Sequence, residues 1–144
     1  MNATISKLRE VMNAHDAQGM AALFAPEYHS EQPAHPNRSF DGHMQVEANW
    51  REMFRAIPDL TAEVVSEITV GATSWVEWRW HGHHTDGSVF DMRGTTVMGL
   101  TREGLIAEAR LYMEPVDHGG AAIEDTVQQL TTPSGRATSR REPA

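Results

Sequence analysis

Arg110, Tyr112 and Glu114 stand at two-residue steps near the end of an apolar–polar alternation over 105–115. On a β-strand that spacing puts the three side chains in one row on one face. A row of Arg, Tyr and Glu is a usable acid/base set. Glu114 in an apolar cavity has its charged form disfavoured, so it becomes able to take a proton from water or from an acidic carbon. Tyr112 can donate to a developing oxyanion. Arg110 can orient the substrate. A different use of the same residues is an Arg110–Glu114 ion pair closing the strand end, with Tyr112 as a wall residue bonded to a backbone carbonyl. Leu105, Ala107, Ala109, Leu111 and Met113 take the opposite face, and the alternation leaves Ile106 on the polar side.

A second strand, 75–85, offers two contrasting faces. One carries Glu77, Arg79, His81 and His83; the other carries Trp78, Trp80, Gly82 and His84. With the polar face inward, Glu77, Arg79 and His81 join the site as substrate contacts, and this phase is adopted here. With the tryptophans inward, the cavity is aromatic and suits a flat polycyclic ligand. His29 and Gln32, on a short strand, complete the polar candidates. Trp50 and Phe54, on a long helix, are included as apolar contacts, with a plain core role as the alternative. His81-x-His83 is a pair of metal-ligand type, and His29-x-Glu31 with His35 is another candidate group. Two ligands without a third do not define a site, so no metal is expected.

The elements that must position these residues follow from periodicity. Ile5, Leu8, Val11 and Met12 make a helical stripe over 4–18, with Gly19 as its stop. Met20 to Phe24 adds a helical turn, and 28–33 a short strand. Val46, Trp50, Met53, Phe54 and Ile57 mark a helix from an Asp41 N-cap to Pro58. The period then becomes two. Strands are expected at 61–70, 75–85, 89–101 and 105–116, with turns at Gly71, Asp86-Gly87 and Glu103-Gly104. In the first of these, Ala62, Val64, Ile68 and Val70 share a face. Short turns imply an antiparallel meander. Segregated helices and strands imply an α+β fold, a curved antiparallel sheet wrapped around helices. Residues 1–117 form the domain; 118–144, with Gly119-Gly120, Pro133 and an Arg cluster, read as a largely disordered tail in which 123–130 holds a helical turn or two.

The totals bound the function. The chain has 144 residues, enough for a core without staples. With no cysteine there is no disulfide, thiolate site or cysteine nucleophile. A formal net charge of −8 opposes nonspecific nucleic-acid binding. No apolar run approaches the ~20 residues of a membrane span. The first residues lack a signal-peptide layout, so a cytoplasmic protein with no membrane partner is expected.

Several segments together resemble the nuclear-transport-factor-2-like superfamily, and within it the SnoaL-like proteins. They are Leu23-Phe-Ala-Pro-Glu-Tyr28, Phe40-Asp-Gly-His43, Gly82-His-His-Thr-Asp-Gly87 and Gly104-Leu-Ile-Ala-Glu-Ala-Arg-Leu-Tyr-Met-Glu114. The resemblance spans roughly 4–117. It implies a cone around an apolar cavity, dimerised through the outer sheet face. Polyketide cyclases and limonene epoxide hydrolases of this kind place an acid where Glu114 stands; the latter carry Arg-x-Tyr-x-Asp where this chain has Arg110-x-Tyr112-x-Glu114. Ketosteroid isomerases place an Asp before a proline where this chain has Gln32-Pro33, and Gln cannot abstract a proton. The epoxide-hydrolase Arg-x-Asp pair is matched only in reversed order, by Glu77-x-Arg79.

Taken together, the expectation is a homodimeric, cofactor-independent acid/base enzyme of the cyclase or epoxide-hydrolase type. It would act on a small hydrophobic molecule with Glu114 as base and Tyr112 and Arg110 assisting. The rival is a non-catalytic small-ligand-binding or assembly module of the same fold.

Overall fold

A computed structural model describes residues 1–133. In chain order it contains α1 (Ala3–Asn13), α2 (Ala17–Ala21), β1 (Phe24–Glu31), a 3-10 turn (Pro36–Arg38), β2 (Phe40–Asp41), α3 (His43–Ala56), β3 (Thr61–Val70), β4 (Thr73–His83), β5 (Val89–Leu100), β6 (Ile106–Pro115) and α4 (Ile123–Thr131). The architecture is α+β. One six-stranded curved sheet, in the order β2-β1-β6-β5-β4-β3, wraps helices on its concave side. The meander β3 to β6 is antiparallel, whereas β1 joins β6 in parallel. Parallel pairing needs a long crossover, and α3 with the meander supplies it.

The first helix stops earlier than Gly19. Its buried stripe is Ile5, Leu8, Val11 and Met12, and Asn2 caps its start through Thr4 N–H at 2.8 Å. His15 then takes a left-handed conformation (φ 57°). Its N–H bonds Met12 O and the Asp16 N–H bonds Val11 O, a Schellman ending. The His15 ring stacks on Phe54 at 4.7 Å and bonds Leu60 O at 2.8 Å, contacts that hold a non-glycine residue there. Asp16 caps α2 through Gly19 N–H, so Gly19 lies inside a helix. The Asn13 amide clamps α1 to β3, exchanging both hydrogen bonds with the Ala62 backbone at 2.7 and 3.1 Å. The N-cap of α3 is Gly42 (φ 95°), not Asp41. Asp41 belongs to β2 and bonds His29 instead.

Two bulges reset the phase of the meander, and a further register shift lies in β1 between Phe24 and His29. In β3 the register slips between Val64 and Ser66. Ala62 and Val64 therefore face the core, while Ile68 and Val70 are 60% and 63% exposed on the outer face, separating the four residues that simple alternation groups together. In β6 the slip leaves Ala107 as an extra residue between the Leu100–Ile106 and Gly99–Glu108 pairs. A bulge of one residue inverts which face the following side chains take. Ile106 is thereby fully buried on the same side as Ala109, Leu111 and Met113, rather than with Arg110. At Gly94, opposite Met113, a Cβ would lie 2.0 Å from the Tyr112 carbonyl oxygen, so only glycine allows β5 and β6 to approach at the bend.

Of the segment 118–144, residues 123–131 form α4 and 134–144 lie outside the described residues. No described helix is long and apolar enough to cross a membrane.

Candidate functional site

The concave face and the helices enclose a cavity of about 250 Å³. Its floor is the inward parity of the sheet. This is Trp78 and Trp80 from β4, Met92, Thr96 and Met98 from β5, and Ala109 and Leu111 from β6. From β1 come Phe24, Tyr28 and Ser30, with Gln32 just beyond the strand and Phe40 from β2. Helices α1 and α2 give Leu8, Met12 and Met20, and α3 gives Val46, Asn49, Trp50 and Met53. Among the described residues no Asp, Glu, His, Lys or Arg lines it. Thioether and aromatic surfaces dominate. Trp50 meets Trp80 edge to face at 5.1 Å, and Trp78 lies 6.3 Å from Trp80.

The inward phase is therefore the tryptophan phase, and the polar phase adopted from sequence is corrected. Burying Trp78 and Trp80, at 1% and 6% exposed, removes large apolar areas from water. The alternative phase would bury Glu77 and Arg79 and expose both indoles. Glu77 is exposed on the outer face. Arg79 lies between Glu63 and Asp91, 3.7 Å from each, and His81 bonds Glu63. On β6, Arg110, Tyr112 and Glu114 are exposed on the outer face, Tyr112 at 42%. Among the described residues no arginine pairs with Glu114; its Oε2 bonds His35 Nε2 at 2.9 Å.

The remaining candidates divide. Gln32 and Trp50 line the cavity. Phe54 sits one layer behind, packed between Trp50 at 5.7 Å and His15. His29 lies outside, with Nδ1 on Asp41 at 2.7 Å and Nε2 on Glu31 at 3.0 Å. The hydrogen bond to Asp41, then that to Glu31, raises its pKa above the ordinary imidazole value. Among the described residues no three His, Asp or Glu side chains come together as a metal-binding set.

Sequence reasoning did not select Tyr28, Ser30, Thr96 or the cavity methionines. Tyr28 is 3% exposed, and burial pushes its phenol up to about 12, so it stays protonated at neutral pH. Trp78 Nε1 donates to Thr96 Oγ1 at 2.9 Å across β4 and β5. The signal for this set was present in the alternation of Trp78 and Trp80; the deciding fact, which parity faces the helices, was not.

A curved α+β sheet closing on helices around an apolar pocket defines the nuclear-transport-factor-2-like class. The SnoaL-like domain family matches residues 5–109, and the chain belongs to that family. Among solved structures it is similar to a Catenulispora acidiphila protein with a ketosteroid isomerase-like fold, in complex with trimethylamine. That match has a TM-score of 0.68 and 15% identity, covering 78% of this chain and 85% of the other. It is also similar to RV0760c from Mycobacterium tuberculosis, in complex with estradiol-17β-hemisuccinate. There the TM-score is 0.66 and the identity 20%, over 76% of this chain and 89% of that one. A SnoaL-like protein of unknown function from Burkholderia thailandensis matches with a TM-score of 0.62 and 22% identity, over 76% of this chain and 91% of the other. No curated protein sequence matches. At these identities the likeness establishes the fold.

Proposed function

We propose that this chain is a binding protein for a small, flat, uncharged hydrophobic molecule held in the cavity. The observation that carries this reading is the cavity lining, aromatic and thioether with no ionised side chain among the described residues. Pockets of this kind bind through apolar burial, with a few polar groups fixing orientation. Methionine adapts to irregular ligand shapes, and indole faces stack on planar rings. Acid/base catalysis by Glu114 has less support, because a base must lie within hydrogen-bond reach of the proton it takes. The small molecules bound by the two structural neighbours above are in keeping with a binding role.

We further propose a homodimer through the outer sheet face. Ile68, Val70 and Trp75 are exposed there as a neighbouring apolar group, with Trp75 at 41%. Large exposed apolar patches mark interaction surfaces.

Tryptophan fluorescence tests the binding reading, since Trp50, Trp78 and Trp80 line the cavity. Titration with a neutral planar hydrocarbon such as fluorene is expected to change the emission saturably. Ala109→Leu, which fills cavity space, is expected to weaken that binding severalfold with an unaltered melting profile. No saturable change in the wild-type protein would remove the reading.

A further inference from the structure

Helix α4 is too short to be stable alone. It has nine residues, no side-chain cap at Ala122, and no buried residue. Isolated helices of that length are marginal in water, so an apolar face must be covered to hold it. That face is Ile123, Val127 and Leu130, which form one stripe and are all exposed. Glu124 flanks the stripe in the first turn.

The outer sheet face carries a row that matches it. Ile68, Trp75, Val97 and Arg110 are successive cross-strand neighbours on β3, β4, β5 and β6. Arg110 closes the row as an exposed cation, and its neighbour on β1, Glu31, bonds His29 instead. Strands stand about 4.8 Å apart. Along α4, Val127 lies about 4.5 Å from Leu130 and Ile123 about 10.5 Å from it. Laid across the strands, the helix sets Leu130 on Ile68, Val127 on Trp75 and Ile123 on Val97, and its Glu124 reaches toward Arg110.

The chain leaves β6 on this same face. Val116 N–H donates to Asp91 O at 2.9 Å, and His118 Nε2 bonds Asp91 Oδ2 at 3.3 Å. Asp91 has the parity of Val97 but lies six residues away on β5, about 20 Å along the strand. Five residues separate His118 from Ile123, at most about 18 Å of extended chain. The helix therefore starts short of its own row, and both surfaces stay open in the single chain. We infer that α4 is an exchanged arm: it lies across the Ile68–Trp75–Val97 row of a second copy, whose own arm returns the contact about a two-fold axis. This rests on the dimer reading above and adds the element that makes the contact.

The chain has no cysteine, so a pair of introduced thiols reports the contact without background. In the full chain, Ile68→Cys combined with Leu130→Cys, both at exposed positions, is expected to give on mild oxidation a dimer closed by two disulfides. Neither single variant should do so. Independently, Val127→Glu, with its circular dichroism spectrum retained, should raise the dimer dissociation constant in sedimentation by about tenfold or more. Glu124→Lys and Arg110→Glu should each raise it severalfold, and the two combined should return it to within about twofold of wild type. An unchanged dissociation constant in Val127→Glu overturns the arm and leaves the dimer reading standing. So does cross-linking of Ile68→Cys alone to the extent of the double variant. A disulfide within one chain, seen as a monomer of altered gel mobility, puts α4 on its own cone and overturns the exchange. A wild-type chain that stays monomeric at every concentration overturns both readings.

Discussion

The Glu114 carboxylate and the His35 imidazole meet at 2.9 Å on the outside of the cone. They tie the end of β6 to the loop between β1 and β2. The acid that strand alternation nominates as a catalytic base is therefore a loop anchor. Glu114→Gln should leave binding of planar probes within about twofold of wild type, since the group is not among those lining the cavity. Calorimetric titration of both proteins checks this; a loss of more than tenfold would return Glu114 to the site.

Inside the cone, Trp78 and Thr96 form a buried donor–acceptor pair. Thr96→Val keeps the shape and removes the acceptor, leaving an indole N–H unsatisfied at a position only 1% exposed. Such an orphan costs about 1–3 kcal/mol. Urea unfolding should show a lower midpoint with an unchanged slope.

His29 links stability to pH at the edge of the cavity. It joins β1 to β2, and β2 carries the cavity residue Phe40. Because carboxylate hydrogen bonds raise its folded pKa above 6.5, its contribution is fully present below the unfolded value and is lost as pH rises through the folded value. Wild-type stability should therefore fall more steeply than that of His29→Gln as pH rises above about 6.5. Parallel denaturation series at several pH values give the comparison. Identical slopes would show that His29 contributes nothing to the linkage.

The proposed dimer surface is tested at Trp75, on the outer face beside Ile68. Trp75→Glu places a charge within an apolar contact, and sedimentation should shift from dimer to monomer while the circular dichroism spectrum is retained. A wild-type chain that sediments as a monomer at every concentration would exclude this surface as a self-contact.

Much of the fold was legible because the signals are local. The α3 stripe through Trp50 and Phe54, and the turns at Gly71, Gly87 and Gly104, all at positive φ, locate the long helix and the meander. The short β2 and the 3-10 turn left no periodic trace over two or three residues. The site was legible in only one of its two phases. Alternation finds the rows Glu77/Arg79/His81 and Trp78/Trp80 equally well; burial of the indoles against α3 chooses between them. Gln32 and Trp50 reach the cavity because they lie at the end of β1 and on the helix that roofs the pocket. Thr96 has no local signature, since its role comes from Trp78 on the neighbouring strand.

The extra residue at Ala107 has a consequence for how this sheet can vary. In an unbroken strand, Ile106 and Glu114 have the same parity, so sealing the core with one would drive the other inward. The insertion severs that dependence. Deleting Ala107 would give the two residues opposite parity in an unbroken strand, so Ile106 would stay inward and Arg110, Tyr112 and Glu114 outward without any bulge. The slip in β3 acts in the opposite sense, carrying Ile68 and Val70 outward to where Trp75 waits. Strand phase in this cone is thus set by where a surplus residue is absorbed: β6 keeps Ala109 and Leu111 toward the lumen because Ala107 takes no partner.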